Sequence, residues 1–334
     1  MLKRGVSDKD VSIVVQGPII GETEKSDRCT YHLLESIRRC FPQAQIILST
    51  WTGEDVSGLD YDLLVQSDQP KSVQIYYSGR LHLFTVNHQI LSTYKGLKRA
   101  DRKYAIKVRS DLVFHNNSIL LYLDKYKQAG MAFGDWKLFS SRLITLPTYN
   151  FRRGMSFPFS VADWIYAGRL TDMLDFFDIP LLDMSGLVMR QTEKYPYLSD
   201  NIGAEQYNCV SFIRKHKLQF DFWGWESKDE RYQKLSEVFY GQNFVFLPAK
   251  RMGVSSQKIG AAGYCAIPVL SSGLYTFCEW KRLFNHYGGG KLCFSYNPIE
   301  DIVYKIVYGM RRIVKKHFKE LYAAGINKIR KMRR

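Results

Sequence analysis

Val11-Ser12-Ile13-Val14-Val15-Gln16-Gly17-Pro18 stands near the start of this 334-residue chain, and its reading decides the fold. Four of its first five residues are β-branched and apolar, so it reads as a short strand, and Gln16-Gly17-Pro18 closes it in a tight loop. A strand without polar alternation is one buried on both faces, as in parallel sheets covered by helices.

Working outward, Tyr31 to Cys40 carries Leu33, Leu34 and Ile37 at helical spacing and stops at Phe41-Pro42, where proline cannot continue a helix. Gln45 to Thr50 reads as a second strand and Asp62 to Gln66 as a third; a helix from near Leu83 to Ala100 precedes a fourth strand, Tyr104 to Arg109. Strand, helix, strand, strand, helix, strand predicts an α/β domain with a mainly parallel central sheet flanked by helices. Beyond Phe114 the spacing predicts a helix over 118–128, short strands near 131–133 and 142–146, and helices over 164–176 and 203–215. Glycine and serine break up 243–276, which receives no assignment. Neither an internal repeat nor a Gly/Ser/Pro linker interrupts the chain, so a single domain is expected over 1–298.

A composition of 46% hydrophobic and 24% charged residues excludes a disordered, collagenous or low-complexity polymer. The net charge of +16 favours anionic partners without choosing a reaction. No apolar run reaches the length of a membrane span, and Met1-Leu2-Lys3-Arg4-Gly5 does not lead into a signal-peptide core. Six cysteines with no C-x-x-C pair fit reduced thiols, so a cytoplasmic protein is expected, which also discounts the Asn116-Asn117-Ser118 sequon. The histidines lack zinc-hydrolase spacing, and Gly288-Gly289-Gly290-Lys291 is followed by Leu292 where a phosphate loop needs Ser or Thr.

Half of the net charge is concentrated in 299–334, where eleven Lys/Arg face three acids. Ile302, Ile306, Met310, Ile313 and Leu321 recur there at three- and four-residue steps, so a basic amphipathic C-terminal helix is expected. Such a helix suits an anionic membrane surface, peripheral on the inner face of the cytoplasmic membrane; packing on the core with solvated lysines is the alternative.

In an open parallel sheet, ligands bind beyond the carboxyl ends of the strands. That rule nominates Gln16, Gly17 and Pro18, Thr50 and Trp51, Asp68, and Arg109-Ser110-Asp111. Asn87, Gln89 and Ser92 interrupt the buried face of the helix before the fourth strand, and each would cost about 1–3 kcal/mol if left unpaired, so a ligand or a neighbouring loop must answer them. Lys107 and Arg109 alternate within a strand and share one face, leading to Asp111, a pattern suited to a diphosphate and a metal; a half-exposed edge strand is the alternative.

Val11 to Ile19, Ile46 to Trp51, Gln89-Ile90-x-Ser92-Thr93-x-x-Gly96-Leu97 and Lys107 to Asp111, taken in order, resemble the WavE family of lipopolysaccharide-biosynthesis proteins. Ser141 to Thr145, Phe159 to Trp164 and Ala204 to Tyr207 extend the similarity, which covers about residues 10–215. The resemblance implies a bacterial glycosyltransferase of the GT-A type. It would have a nucleotide-sugar donor half over about 10–115 and an acceptor half over about 116–298, the acceptor being a lipid-linked or lipopolysaccharide glycan. Metal-dependent members carry Asp-x-Asp after the fourth strand, whereas this chain has Arg109-Ser110-Asp111. Asp111 therefore either holds Mg²⁺ or Mn²⁺ with waters, or leaves the diphosphate to Lys107 and Arg109.

Displacement at an anomeric carbon needs charge neutralisation on the leaving group and, for inversion, a carboxylate base. Asp163 is the first candidate and Glu205 the second, the latter also suiting a helix N-terminus. Arg142, Arg152 and Trp164 are acceptor candidates, with Arg153 beside them. The rival enzyme is a polyol-phosphate or other phospho-group transferase with a CDP-activated donor. The non-enzymatic rival is a basic membrane- or nucleic-acid-binding protein, although the charge gathered in one tail does not resemble a nucleic-acid groove and no nucleic acid is expected.

Overall fold

A computed structural model of the protein describes residues 5–21, 29–77, 80–126, 134–146, 158–183, 189–190, 198–199, 204–217, 219–222, 229–256 and 277–287. Contacts divide the chain into two units, Met1–Tyr264 with Gly273–Leu292 and Cys265–Ser272 with Cys293–Arg334, and every described residue belongs to the first. The basic segment 299–334, the strand expected at 131–133, Arg152, Arg153 and the Gly288–Lys291 stretch lie outside the described residues.

In chain order the elements are β1 (Val11–Gln16), α1 (Thr30–Cys40), β2 (Gln45–Trp51), β3 (Leu63–Ser67), β4 (Val73–Tyr77), β5 (Arg80–Phe84), α2 (Val86–Leu97), β6 (Tyr104–Arg109), β7 (Val113–Phe114) and α3 (Ile119–Tyr126). There follow β8 (Leu143–Thr145), β9 (Ile165–Arg169), α4 (Leu170–Phe177), β10 (Met189–Arg190), β11 (Leu198–Ser199), α5 (Ala204–His216), α6 (Glu230–Asn243), β12 (Phe244–Phe246), α7 (Ala249–Met252), β13 (Val254–Ser255) and α8 (Phe277–Tyr287).

β1 is buried at all six positions, as its unbroken apolar run requires. It lies inside a seven-stranded sheet of order β12-β8-β9-β6-β1-β2-β3. Six strands run parallel, and β9 runs antiparallel to both its neighbours, β6 and β8. The chain leaves β1 for β2 on one side and later returns to β6 on the other. The carboxyl ends of β1 and β6 therefore bracket a topological switch point, where open α/β sheets form ligand crevices. The antiparallel β9 brings its amino end to that same edge, since Val108 pairs with Ile165 and the Arg109 amide donates to the Trp164 carbonyl at 3.1 Å.

The structure corrects two readings of secondary structure. Trp164–Phe176 is not one helix: β9 comes first and α4 begins at Leu170, its apolar residues serving a strand buried on both faces and then a helix. Leu83 belongs to the β4–β5 hairpin, and the helix starts only at Val86.

α2 lies directly on β1 and β2. A Cβ on Gly96 would sit 2.4 Å from Val14 Cγ1 and 3.0 Å from Ser49 Cβ, so only glycine permits this approach. In the second half of the sheet, Phe139 stacks on Phe212 of α5 at 4.6 Å and meets Phe176 of α4 and Phe244 of β12 edge-on. This aromatic core fixes α4 and α5 against the strands that carry the site.

Candidate functional site

A cavity of about 510 Å³ opens at the switch point. Of the residues nominated from sequence, it is lined by Gln16, Gly17, Pro18, Trp51, Gln89, Arg109, Ser110, Asp111 and Asp163. Ile20, Gln69, Thr85 and His88 complete the described lining.

The floor is backbone held in an uncommon conformation. Gly17 has φ +117°, a value that L side chains rarely adopt, and a Cβ there would lie 3.2 Å from Ser110 Oγ. The Ser110 amide donates to the Gln16 carbonyl at 3.1 Å and the Gly17 amide to the Ser49 carbonyl at 3.2 Å, which ties the ends of β1, β2 and β6 together.

One wall is charged. Arg109 holds Asp111 through two bonds, Nε to Oδ1 at 3.0 Å and NH2 to Oδ2 at 2.7 Å, and its guanidinium lies 5.5 Å from the Trp164 ring centroid. Burial alone would lower the Arg109 pKa, but the carboxylates of Asp163, Asp111 and Glu205 outweigh it and raise the pKa above its ordinary value. Glu205 does not line the cavity; it stands in the first turn of α5, pushed up to about 7 by burial and then by the charge of Asp163, with its own backbone bond and Arg109 acting the other way. Asp163 at the cavity and Glu205 behind it thus share one electrostatic field.

Lys107 is not on a half-exposed edge. It is fully buried in the central strand β6, outside the cavity lining, with its ammonium donating to the Asp163 carbonyl and lying 5.9 Å from the Tyr166 ring centroid. Burial lowers its pKa to about 7, with Asp163 and Asp111 raising and Arg109 lowering by smaller amounts. Lys107 therefore stands behind Asp163 rather than in reach of a donor phosphate.

The polar interruptions of α2 are answered largely by the protein. The Asn87 side chain exchanges two hydrogen bonds with the Leu182 backbone, at 2.8 and 2.7 Å. The Ser92 hydroxyl lies 2.8 Å from Gln16 Oε1 and 2.7 Å from the His88 carbonyl, either of which accepts its proton. Gln89 Oε1 accepts from Asn208 Nδ2 of α5 at 2.8 Å, but Gln89 Nε2 is buried with no partner, and so is His88 Nδ1. Both residues line the cavity. The His88 pKa is lowered by burial.

Other candidates lie elsewhere. Thr50 is buried and donates to Glu54 Oε2 at 3.0 Å; Asp68 is exposed, and its neighbour Gln69 faces the cavity. Arg142 is not a loop residue open to an acceptor: it is 4% exposed, donates to the Gly241 carbonyl at 3.1 Å, stacks 4.3 Å from the Phe284 ring centroid, and has its pKa lowered to about 10 by burial. Trp164 is 9% exposed and backs Arg109. Sequence reasoning missed His88, which falls between the nominated Asn87 and Gln89, and Gln69, one residue beyond Asp68.

A family model described as WavE lipopolysaccharide synthesis matches residues 11–318. The chain belongs to the WavE family. No curated protein matches this WavE protein. Among solved structures it is similar to the 4-diphosphocytidyl-2C-methyl-D-erythritol synthase of Anaerococcus prevotii DSM 20548, at 12% identity over 54% of this chain and 82% of that one, with a TM-score of 0.32. That likeness is too slight to build on.

The WavE site does not fit a protein-held divalent cation as it stands. Both carboxylate oxygens of Asp111 accept from Arg109, and among the described residues no three His, Cys, Asp or Glu side chains converge. The donor set suits a guanidinium-held anion better. Among the described residues no helix of the WavE protein is long and apolar enough to cross a membrane.

Proposed function

We propose that this WavE protein is a glycosyltransferase of the GT-A type, taking a nucleotide-sugar into the switch-point cavity and passing the sugar to a lipopolysaccharide core or related surface glycan. The observation that carries the reading is the meeting of Gly17, Arg109 and Asp163 at one sheet edge: a backbone cradle, a fixed cation and a carboxylate around one cavity. The acceptor hydroxyl attacks the anomeric carbon, the bond from that carbon to the nucleotide oxygen breaks, and the hydroxyl proton passes to a carboxylate. Asp163 is the group at the cavity for that proton, with Glu205 behind it. Arg109 meets the charge growing on the departing phosphate, a task for which a planar, always-charged guanidinium is suited. The lipid-borne acceptor and the +8 of segment 299–334 support attachment at an anionic membrane surface on the cytoplasmic side.

The test is product analysis with a panel of nucleotide-sugars and a lipid-linked glycan acceptor. A new glycosidic bond with release of the nucleotide is expected. A new phosphodiester in the product would instead establish a phospho-group transferase.

A further inference from the structure

We infer that Tyr240 and Ser236 of α6 are positioning residues for the transfer reaction: they hold the strained segment that delivers Asp163 to the cavity, although neither is among the described residues lining it. The inference rests on Asp163 as the proton acceptor of the proposed function and adds the residues that act through it.

The segment that leads into Asp163 is irregular, yet Phe159, Ser160, Val161 and Ala162 are all buried. Among the described residues Phe159 alone of the non-glycine residues has a positive φ, at +58°. A bulky aromatic is an outlier in that left-handed region, and such strain persists only where the surroundings over-determine it. Here they do. The Phe159 ring is fully buried and packs edge-on against Phe220 and Phe222, with centroids 5.0 and 5.3 Å away. Every residue from Pro158 to Asp163 has a backbone group bonded to a side chain from outside the segment. Gln206 Nε2 donates to the Pro158 carbonyl at 2.7 Å, and the Phe159 amide donates to Ser236 Oγ at 2.9 Å. The Tyr166 hydroxyl donates to the Val161 carbonyl at 3.3 Å, Thr145 Oγ1 to the Ala162 carbonyl at 3.1 Å, and Lys107 to the Asp163 carbonyl. Tyr240 makes two bonds with one residue: its hydroxyl accepts from the Ser160 amide at 2.8 Å and donates to the Ser160 carbonyl at 3.1 Å.

Buried backbone outside a helix or sheet needs hydrogen-bond partners wherever it lies. What sets this segment apart is that it is strained and that it ends on a carboxylate at the cavity, the setting in which strain is most often part of function. Ser236 and Tyr240 stand four residues apart on α6, so they share a helix face and act on the strained residue and the one after it. With either hydroxyl gone, the segment can relax toward an ordinary backbone conformation and carry Asp163 out of line. A misplacement of about 1 Å can cost about a hundredfold in rate.

The test is transfer by the full chain, by Tyr240→Phe and by Ser236→Ala, with the nucleotide-sugar of the panel that the wild type turns over; donor affinity and thermal unfolding are measured on the same proteins. Tyr240→Phe removes only the hydroxyl and keeps the ring, whose centroid lies 5.4 Å from that of Phe246. Its kcat is expected to fall by about ten- to a hundredfold. Donor affinity is expected to stay within about threefold of the wild type, because Arg109 and the loop at Gly17 are untouched. Ser236→Ala is expected to act in the same direction and supplies the readout if Tyr240→Phe does not fold. With Asp163→Asn already in place, Tyr240→Phe is expected to cost less than about threefold more, since residues that act through one group are not additive. A hydroxyl that only stabilised the fold would lower Tm and leave kcat alone.

Full kcat in both variants, a loss confined to donor affinity, or an equal loss with and without Asp163 would overturn the inference and leave Asp163 as the proton acceptor. A fully active Asp163→Asn would overturn the role of Asp163 and the inference with it. Failure of every nucleotide-sugar to react with the wild type would overturn the transferase reading as a whole.

Discussion

Replacing Lys107 by Met is expected to stabilise the protein and slow its reaction at once. The ammonium is fully buried in β6 and donates to the Asp163 carbonyl. Burial takes its pKa from 10.5 to about 7. At about 1.4 kcal/mol for each tenfold change in proton affinity, that drop is worth about 5 kcal/mol against the charged form. The sign follows from proton counts. Between pH 7 and 10.5 the unfolded chain keeps a proton that the folded protein has shed, so stability rises with pH across this window. Below it both states are protonated and the full penalty remains. Methionine fills a similar volume without charge, but it strips the Asp163 carbonyl of its donor, a loss of about 1–3 kcal/mol. The net expectation near pH 6 is a gain of about 2–4 kcal/mol, within the range seen when buried ionic groups are replaced by apolar ones. Urea unfolding of both proteins near pH 6 and pH 9 reads this directly. The wild type should gain stability toward pH 9, the variant should not, and sugar transfer by the variant should fall because the Asp163 segment is no longer held. A variant less stable than wild type near pH 6, together with a flat wild-type profile, would refute the reasoning.

Two further outcomes follow from the same geometry. Glu205, pushed up to about 7 by burial and then by the charge of Asp163, gains a negative charge behind the cavity as pH rises through that value, so the rate of transfer should change across it and Glu205→Gln should remove that change. A profile unchanged in the variant would count against the pairing. Gly96→Ala would place a Cβ 2.4 Å from Val14 Cγ1, forcing α2 away from β1, so thermal unfolding should show a loss of about 1–3 kcal/mol; donor affinity should weaken as well, because α2 carries His88 and Gln89.

What could be read from sequence was local, and what could not was set by strand order. β1, α1, β2, β3 and β6 each declared themselves through an apolar run or a helical spacing closed by a breaker, and Gln16-Gly17-Pro18 and Arg109-Ser110-Asp111 followed as strand ends. β9 did not, because Trp164 to Phe176 is apolar at positions that suit either a strand or a helix. Its direction in the sheet, which puts Asp163 beside Arg109, is a long-range fact absent from any window of sequence. Lys107 and Arg109 share a face as period two requires, yet Lys107 lies within the strand opposite its cross-strand neighbour Tyr166 and is fully buried, whereas Arg109 ends β6 and reaches the cavity. Polar residues on α2 signalled unmet bonds correctly, but their partners, Leu182 and Asn208, lie about a hundred residues away and were beyond any local reading.

Arg109 is expected to receive the phosphate of a nucleotide in the switch-point cavity without help from a divalent ion. Thermal unfolding with nucleotide diphosphates and nucleotide-sugars, in EDTA and in Mn²⁺, for wild type and Arg109→Met, tests it most directly. A ligand held at a hundred times its Kd should stabilise the folded state by about 2.7 kcal/mol. A rise in Tm is expected for the wild type, the same in EDTA and in Mn²⁺ and lost in Arg109→Met. No rise with any nucleotide, a rise that requires Mn²⁺, or an equal rise in Arg109→Met would contradict it.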